Sequence, residues 1–190
     1  MTFAPAKLLK PIWRFARDKR AVSAVEFALI LPLMLSIYLG GNELSHALII
    51  SRKVTHVASS LGDLITQSKS ISDSDMTNIL NAAASVMTPY SSGTPLRIKV
   101  SEIKFDANGK GTVTWSDARN DTPLTRGSTV TGLPAAVMTA NTSIVTAEVH
   151  YAYKPLIGYV MTGTFDLKDS FYLRPRLSDC ITRPSTVTTC

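Results

Sequence analysis

The sequence predicts an α+β protein: a long N-terminal transmembrane helix that continues into a domain with a short second helix and a small antiparallel sheet. Three patterns carry this expectation. Residues 21–42 hold a single charge, Glu26, in 22 positions. Beyond them apolar side chains recur at alternating spacings of three and four, as along one face of a helix. From Pro95 the alternation turns to period two, the mark of strands buried on one face. With 190 residues the chain has room for one domain of ordinary size. Its 45% hydrophobic content excludes disorder as the main state. Its 18% charged content falls short of the roughly 25% usual in soluble domains, which fits a chain partly in contact with lipid.

The net charge of +6 is concentrated at one end. Lys7, Lys10, Arg14, Arg17, Lys19 and Arg20 stand against Asp18, so residues 1–20 carry +5. The remainder is close to neutral, which argues against a nucleic-acid-binding domain. A basic cluster abutting an apolar run orients it: residues 1–20 form a cytoplasmic leader, 21–42 cross the membrane, and the rest of the chain is exported. At 1.5 Å per residue the run spans about 33 Å, matching a hydrocarbon core of about 30 Å. Trp13 and Phe15 suit the headgroup layer, and Pro32 should bend the helix at mid-span. A cleaved secretory signal is the competing reading, with weak cleavage candidates near Gly40–Gly41 and Ala47. A 20-residue basic region is long for a signal, and Glu26 would serve no purpose in one.

A carboxylate in the hydrocarbon region costs about 2.5–3.5 kcal/mol on insertion scales, so Glu26 needs a reason. It lies six residues from Arg20 and could remain hydrated at the cytoplasmic rim. The alternative is a positive partner at membrane depth, such as a new α-amino group made by proteolysis after Ala21. Val22 would then be first and Glu26 fifth. The run RDKRAVSAVEFAL (residues 17–29), followed by apolar Ile30–Leu39, resembles the N-terminus of TadE-like proteins of bacterial tight-adherence pilus systems. More distantly it is similar to type IV pilins and pseudopilins. The resemblance implies cleavage between Ala21 and Val22 by a prepilin peptidase, with Glu26 and Phe27 as recognition and assembly residues. Ala21 departs from the glycine usual before the cut, and an uncut relative would be a bitopic membrane protein. The resemblance also implies a minor pseudopilin of a tight-adherence (type IVc-like) pilus. Its partners would be other pilin and pseudopilin subunits and an inner-membrane assembly platform. The location would be the bacterial inner membrane, single pass, with the C-terminal domain periplasmic or incorporated in a surface pilus.

Residues 43–68 read as an amphipathic continuation of the helix. Leu44, Ala47, Ser51, Val54, Ala58, Leu61 and Ile65 form its apolar stripe, and Asn42, Arg52, Lys53, Ser60 and Asp63 its wet face. Gly40–Gly41 and Gly62 are candidate flexible points. Residues 69–190 read as the exported, pilin-like α+β domain. Ser72-x-x-Asp75 has capping-box spacing and starts a helix burying Met76, Ile79, Leu80, Ala83 and Met87, which Pro89 stops. Leu96, Ile98 and Val100 alternate with polar residues in a half-buried strand. Asn108–Gly109 predicts a tight turn pairing Ile103–Asp106 with Gly111–Trp115. Residues 117–142 read as a long exposed loop with a helical turn near Ala135–Met138. Ser143–Tyr153 and Thr164–Leu173 are strands, and Lys154–Gly163 fits a short helix or a strand edge.

Cys180 and Cys190 are even in number and lie on the exported side, which predicts a disulfide closing an 11-residue loop, worth about 3 kcal/mol. Two free thiols are the alternative. His46 and His56, ten residues apart, sit about 80° apart around a helix and share no ligand position; His150 reads as an ordinary strand residue. No metalloprotease, nucleophile-elbow, phosphate-loop or dinucleotide motif occurs. The expectation is no enzyme, no cofactor, no metal and no catalytic residue. Two functional classes stand: an assembly protein acting by helix packing, and an uncleaved, membrane-anchored extracytoplasmic binding module using the 117–142 loop. A hydrolase would need clustered carboxylates or a zinc site.

Overall fold

A computed structural model describes residues 19–90, 95–155, 158 and 162–184. Helix α1 (Lys19–Thr66) is followed by α2 (Asp73–Val86), β1 (Leu96–Phe105), β2 (Gly111–Arg119), a 3-10 turn (Ala135–Val137), β3 (Ser143–Tyr153) and β4 (Phe165–Leu173). The strands form one antiparallel sheet in the order β2-β1-β3-β4. This is the predicted α+β plan. The apolar residues Leu156, Ile157, Tyr159, Val160 and Met161 of the ambiguous connection lie outside the described residues.

α1 runs 48 residues without a break, through Pro32 and through Gly40–Gly41. From Ala47 onward one face packs on the sheet: Ala47, Ile50, Val54, Val57, Ala58, Leu61 and Ile65 are all buried. The expected stripe needs two corrections. Leu44 is 53% exposed, because it points away from the side of the helix on which Glu43 and Ala47 are buried. Ile50 and Val57 take core positions, while Ser51 is half-buried. Gly62 is no hinge either. It lies where the helix crosses closest, and a Cβ there would stand 2.6 Å from Leu173 Cδ1 and 3.5 Å from Ala147 Cβ. Glycine is used there for close approach.

α2 begins as its sequence dictates. Ser72 accepts from the Asp75 amide while the Asp75 carboxylate accepts from the Ser72 amide, a complete capping box. Met76, Leu80, Ala84 and Met87 are buried from this helix. Lys53 of α1 donates to the Thr88 carbonyl at 2.8 Å and lies over the Tyr90 ring, placing a cation at the C-terminal end of α2.

The sheet's front face carries Leu96, Ile98, Val100, Val145, Ala147, Val149, Tyr151 and Tyr153 into the core under α1. β1 is one strand in unbroken register with β3; the shift between Glu102 and Ile103 is against β2, where Thr114 is the extra residue, and Ile103 and Phe105 face the back by simple alternation. There they meet Ile144, Val130, Leu133, Val137 and Tyr172 in a second, smaller core. The expected 117–142 loop has no buried residue, but it starts later than expected and is anchored. β2 continues to Arg119, and backbone bonds from Val113 to Ser128 and from Val130 to Gly111 hold the loop along the edge of β2. The β1–β2 turn also differs from the expected two-residue form. Asp106 Oδ1 accepts from the Asn108 and Lys110 amides, and only Gly109 of the Asn-Gly pair has positive φ, +76°.

The C-terminal segment completes the core. Ile181 donates its amide to Glu102 Oε1 at 2.7 Å, and its carbonyl accepts from Trp115 Nε1 at 2.9 Å. Thr182 pairs with the chain at Lys69–Ile71. Arg183 reaches between α2 and β2: its guanidinium donates to the Ile71 and Ser72 carbonyls and to Asp73 and Asp117. Glu102 is fully buried, and burial pushes its carboxyl up from 4.5 to about 7 against the opposing pull of the Ile181 amide, Trp115 and Lys104. A raised pKa stabilises the fold below the unfolded value and is lost as pH rises through the folded one. Stability should thus fall by about 3 kcal/mol between pH 5 and pH 8 from this group alone. Denaturant unfolding of Glu102→Gln should lack that slope; an unchanged slope would assign it to other groups.

Candidate functional site

The residues with the clearest chemical demand lie on α1 before the domain. From Val22 to Asn42 no side chain is buried within the protein. Val22, Phe27, Leu33 and Ile37 are 53–67% exposed. Such a surface is untenable in water and natural in lipid. The helix is long and apolar enough to cross a membrane, and none of its most apolar window is covered by the protein. Pro32 withholds the amide that would bond the Ala28 carbonyl, and Ser36 Oγ donates to the Pro32 carbonyl at 2.8 Å, so the hydroxyl is satisfied within the helix.

Ala21 and Val22 are consecutive helical residues, two positions inside the start of α1. Glu26 is exposed one turn further on, beside exposed Phe27. The structure brings no other expected site residue to Glu26. The leader through residue 18 lies outside the described residues. Cys180 is buried next to the Ile181 clasp, at 3% exposure. Cys190 lies outside the described residues, so the structure does not address the pairing.

A second carboxylate, which sequence reading did not single out, marks the junction of membrane helix and domain. Glu43 is 3% exposed, and its Oε1 accepts from the Gly158 amide at 2.6 Å. Tyr153, last in β3, donates its hydroxyl to the Glu43 carbonyl at 3.3 Å. Burial, then the charge of Glu43, pushes the Tyr153 phenol above its ordinary value. The connection from β3 to β4 is thereby tied to α1 at the first turn past the apolar span. A signal was present: Glu43 lies four residues before Ala47 and so continues the buried stripe, where a carboxylate demands a partner.

Away from the second core, the back of the sheet is polar. Lys99 lies 3.4 Å from Asp121 and 3.8 Å from Glu148, and His150 Nδ1 is 3.0 Å from Asp166 Oδ2. The His150 bond holds the Asp166 carboxyl below its usual range. At the far end from the membrane helix an open depression of about 550 Å³ is lined by Lys104, Asp106, Arg126 and Asn141 among others. Among the described residues no three His, Cys, Asp or Glu side chains are grouped to hold a metal ion.

Residues 21–60 match the family model of TadE-like protein. The match starts at the expected cleavage position, includes Glu26 and Phe27, crosses the Glu43 junction and ends in the core stripe; it covers none of the sheet. No curated protein and no solved structure matches the chain.

Proposed function

From a TadE-like segment spanning residues 21–60, we propose that this protein is a minor pseudopilin-like component of a tight-adherence pilus system, anchored by α1 and acting through helix packing rather than catalysis. The observation that carries the reading is the overlap of three features on one helix. The family match, the uncovered apolar span and the helix that enters the domain core are one continuous element. Such an element can transmit position from membrane to domain, because a helix rooted in a packed core does not swivel.

The leader stays cytoplasmic and the domain lies in the periplasm, attached to the bacterial inner membrane until it joins a fibre. Prepilin peptidase cleaves between Ala21 and Val22. Glu26 then pairs with a neighbouring subunit's new α-amino group, and Phe27 packs beside it. The partners are other pilin and pseudopilin subunits and the inner-membrane assembly platform; no cofactor or nucleic acid takes part. Cys180 and Cys190 form a disulfide in the oxidising compartment. One residue favours a second reading. Ala21 stands where relatives usually have glycine, which fits an uncut, bitopic binding module. Its ligand would meet the depression at the far end of the sheet.

Topology is tested with reporter fusions. Fusions after Ile65 should be active only on the exported side, and fusions before Arg14 only in the cytoplasm. Reversed activity would remove both readings, since each needs the domain outside.

A further inference from the structure

α1 does not become polar where the expected span ends. Leu44 and Leu48 are 53% exposed and Ile49 49%, values like those within the span, such as 52% for Ile30. The acid of this stretch, Glu43, is turned into the protein and hydrogen-bonded there. Ser45, exposed between the leucines, donates its hydroxyl to the Gly41 carbonyl at 2.8 Å, as Ser36 does to Pro32 deeper in the span. The next exposed charge on the helix is Arg52.

We infer that α1 from Leu44 to Ile49 is immersed in the outer lipid interface, so that the domain is seated directly against phospholipid instead of standing clear on a helical stalk. The inference rests on reading α1 as a membrane anchor and adds the depth to which it is sunk. Lengths agree. From Leu44 to Ile49 the helix rises about 7.5 Å, and the layer between hydrocarbon and bulk water is about 5–8 Å thick on each side. With Leu44 at the hydrocarbon edge, Arg52 stands about 12 Å further along the helix, and its long side chain reaches back to the phosphates. Lys154, exposed after Tyr153 at the same end of the domain, adds a second cation at that level.

Lipid fits this surface better than a second helix does. At 100° per residue, Leu44, Leu48 and Ile49 spread over about 140° of the helix circumference, wider than the narrow seam that one partner helix covers. Acyl chains and glycerol groups wet whatever arc the domain leaves open.

The test places a benzophenone amino acid at Leu33, Leu48, Ile49 or His56, one at a time, in the full chain. The chain is reconstituted in phosphatidylethanolamine–phosphatidylglycerol vesicles and irradiated, and adducts are read by intact mass. Lipid adducts at Leu33, Leu48 and Ile49, with loss of the adduct at His56, are the expected result. Lipid adducts at Leu33 but water quenching or chain-to-chain crosslinks at Leu48 and Ile49 would overturn the seating and leave the anchor intact. No lipid adduct even at Leu33 would overturn the anchor itself, and the seating with it.

Discussion

Arg183→Ala is expected to destabilise the domain by about 3–5 kcal/mol, the range for breaking a buried ion pair from one side. That is a large part of a typical domain's stability of about 5–15 kcal/mol. The guanidinium side chain is 4% exposed and meets Asp73 at 2.8 Å and Asp117 at 2.9 Å while donating to two carbonyls. It also lies 5.8 Å from the Trp115 ring centre. Truncation strands the half-buried Asp117 carboxylate and the two carbonyls, while Asp73, 67% exposed, turns to water. Burial already pushes the Asp117 carboxyl up and Arg183 holds it down, so acid should recover part of the loss by neutralising the stranded carboxylate. Arg183→Lys should fall between, since an ammonium keeps the charge and loses the planar fork. Denaturant unfolding of the full chain in detergent measures this. A loss under about 1 kcal/mol, in the range of ordinary surface substitutions, would mean that the C-terminal segment is not part of the cooperative core.

Glu26→Gln is expected to insert in the membrane at least as well as the parent chain, because the burial cost of the charge disappears. Fibre assembly should nevertheless be lost. An amide keeps the shape but gives up a charge-assisted bond worth about 1.5–3 kcal/mol at each subunit contact. Glu26→Asp keeps the charge on a shorter arm and should be intermediate. The companion measurement is intact mass from cells with and without a prepilin peptidase. A mature chain beginning at Val22, two daltons below its reduced mass, would support cleavage and the Cys180–Cys190 bond together. A Met1 terminus in both strains leaves Glu26 without an α-amine partner and favours the bitopic reading. Normal piliation by Glu26→Gln would show that the carboxylate is merely hydrated at the cytoplasmic rim.

Local patterns were legible in the sequence wherever the physics is local. The capping box at Ser72 and Asp75, the boundaries of β3 and the apolar span all follow from spacing within a dozen residues. Three features needed the assembled fold. Arg183 looks like any cation near a chain end, and its partners lie 66 to 112 residues away. Glu102 follows Val100 in the alternation and so belongs to the buried face, but its partner there, the Ile181 amide, lies 79 residues away. The segment 120–142 shows no periodicity because only Val130, Leu133 and Val137 anchor it. At the candidate site, Glu26 was legible because charge is conspicuous among apolar residues. Glu43 carried a weaker signal, its place one turn before Ala47 on the buried stripe, because polarity is ordinary where an apolar run ends.

The clasp around Ile181 and Arg183 also sets an order of events. On the proposed topology, a chain threaded across the membrane with its leader held behind delivers Glu102, Trp115 and Asp117 long before it delivers residues 180–183. Until those last residues emerge, a buried acid lacks its amide donor and α2 lacks the cation that joins it to β2. The domain therefore travels as an open intermediate and closes only when translocation is almost complete. On that topology release and closure of the core become a single moment, and any stall before residue 180 would leave an unlatched domain.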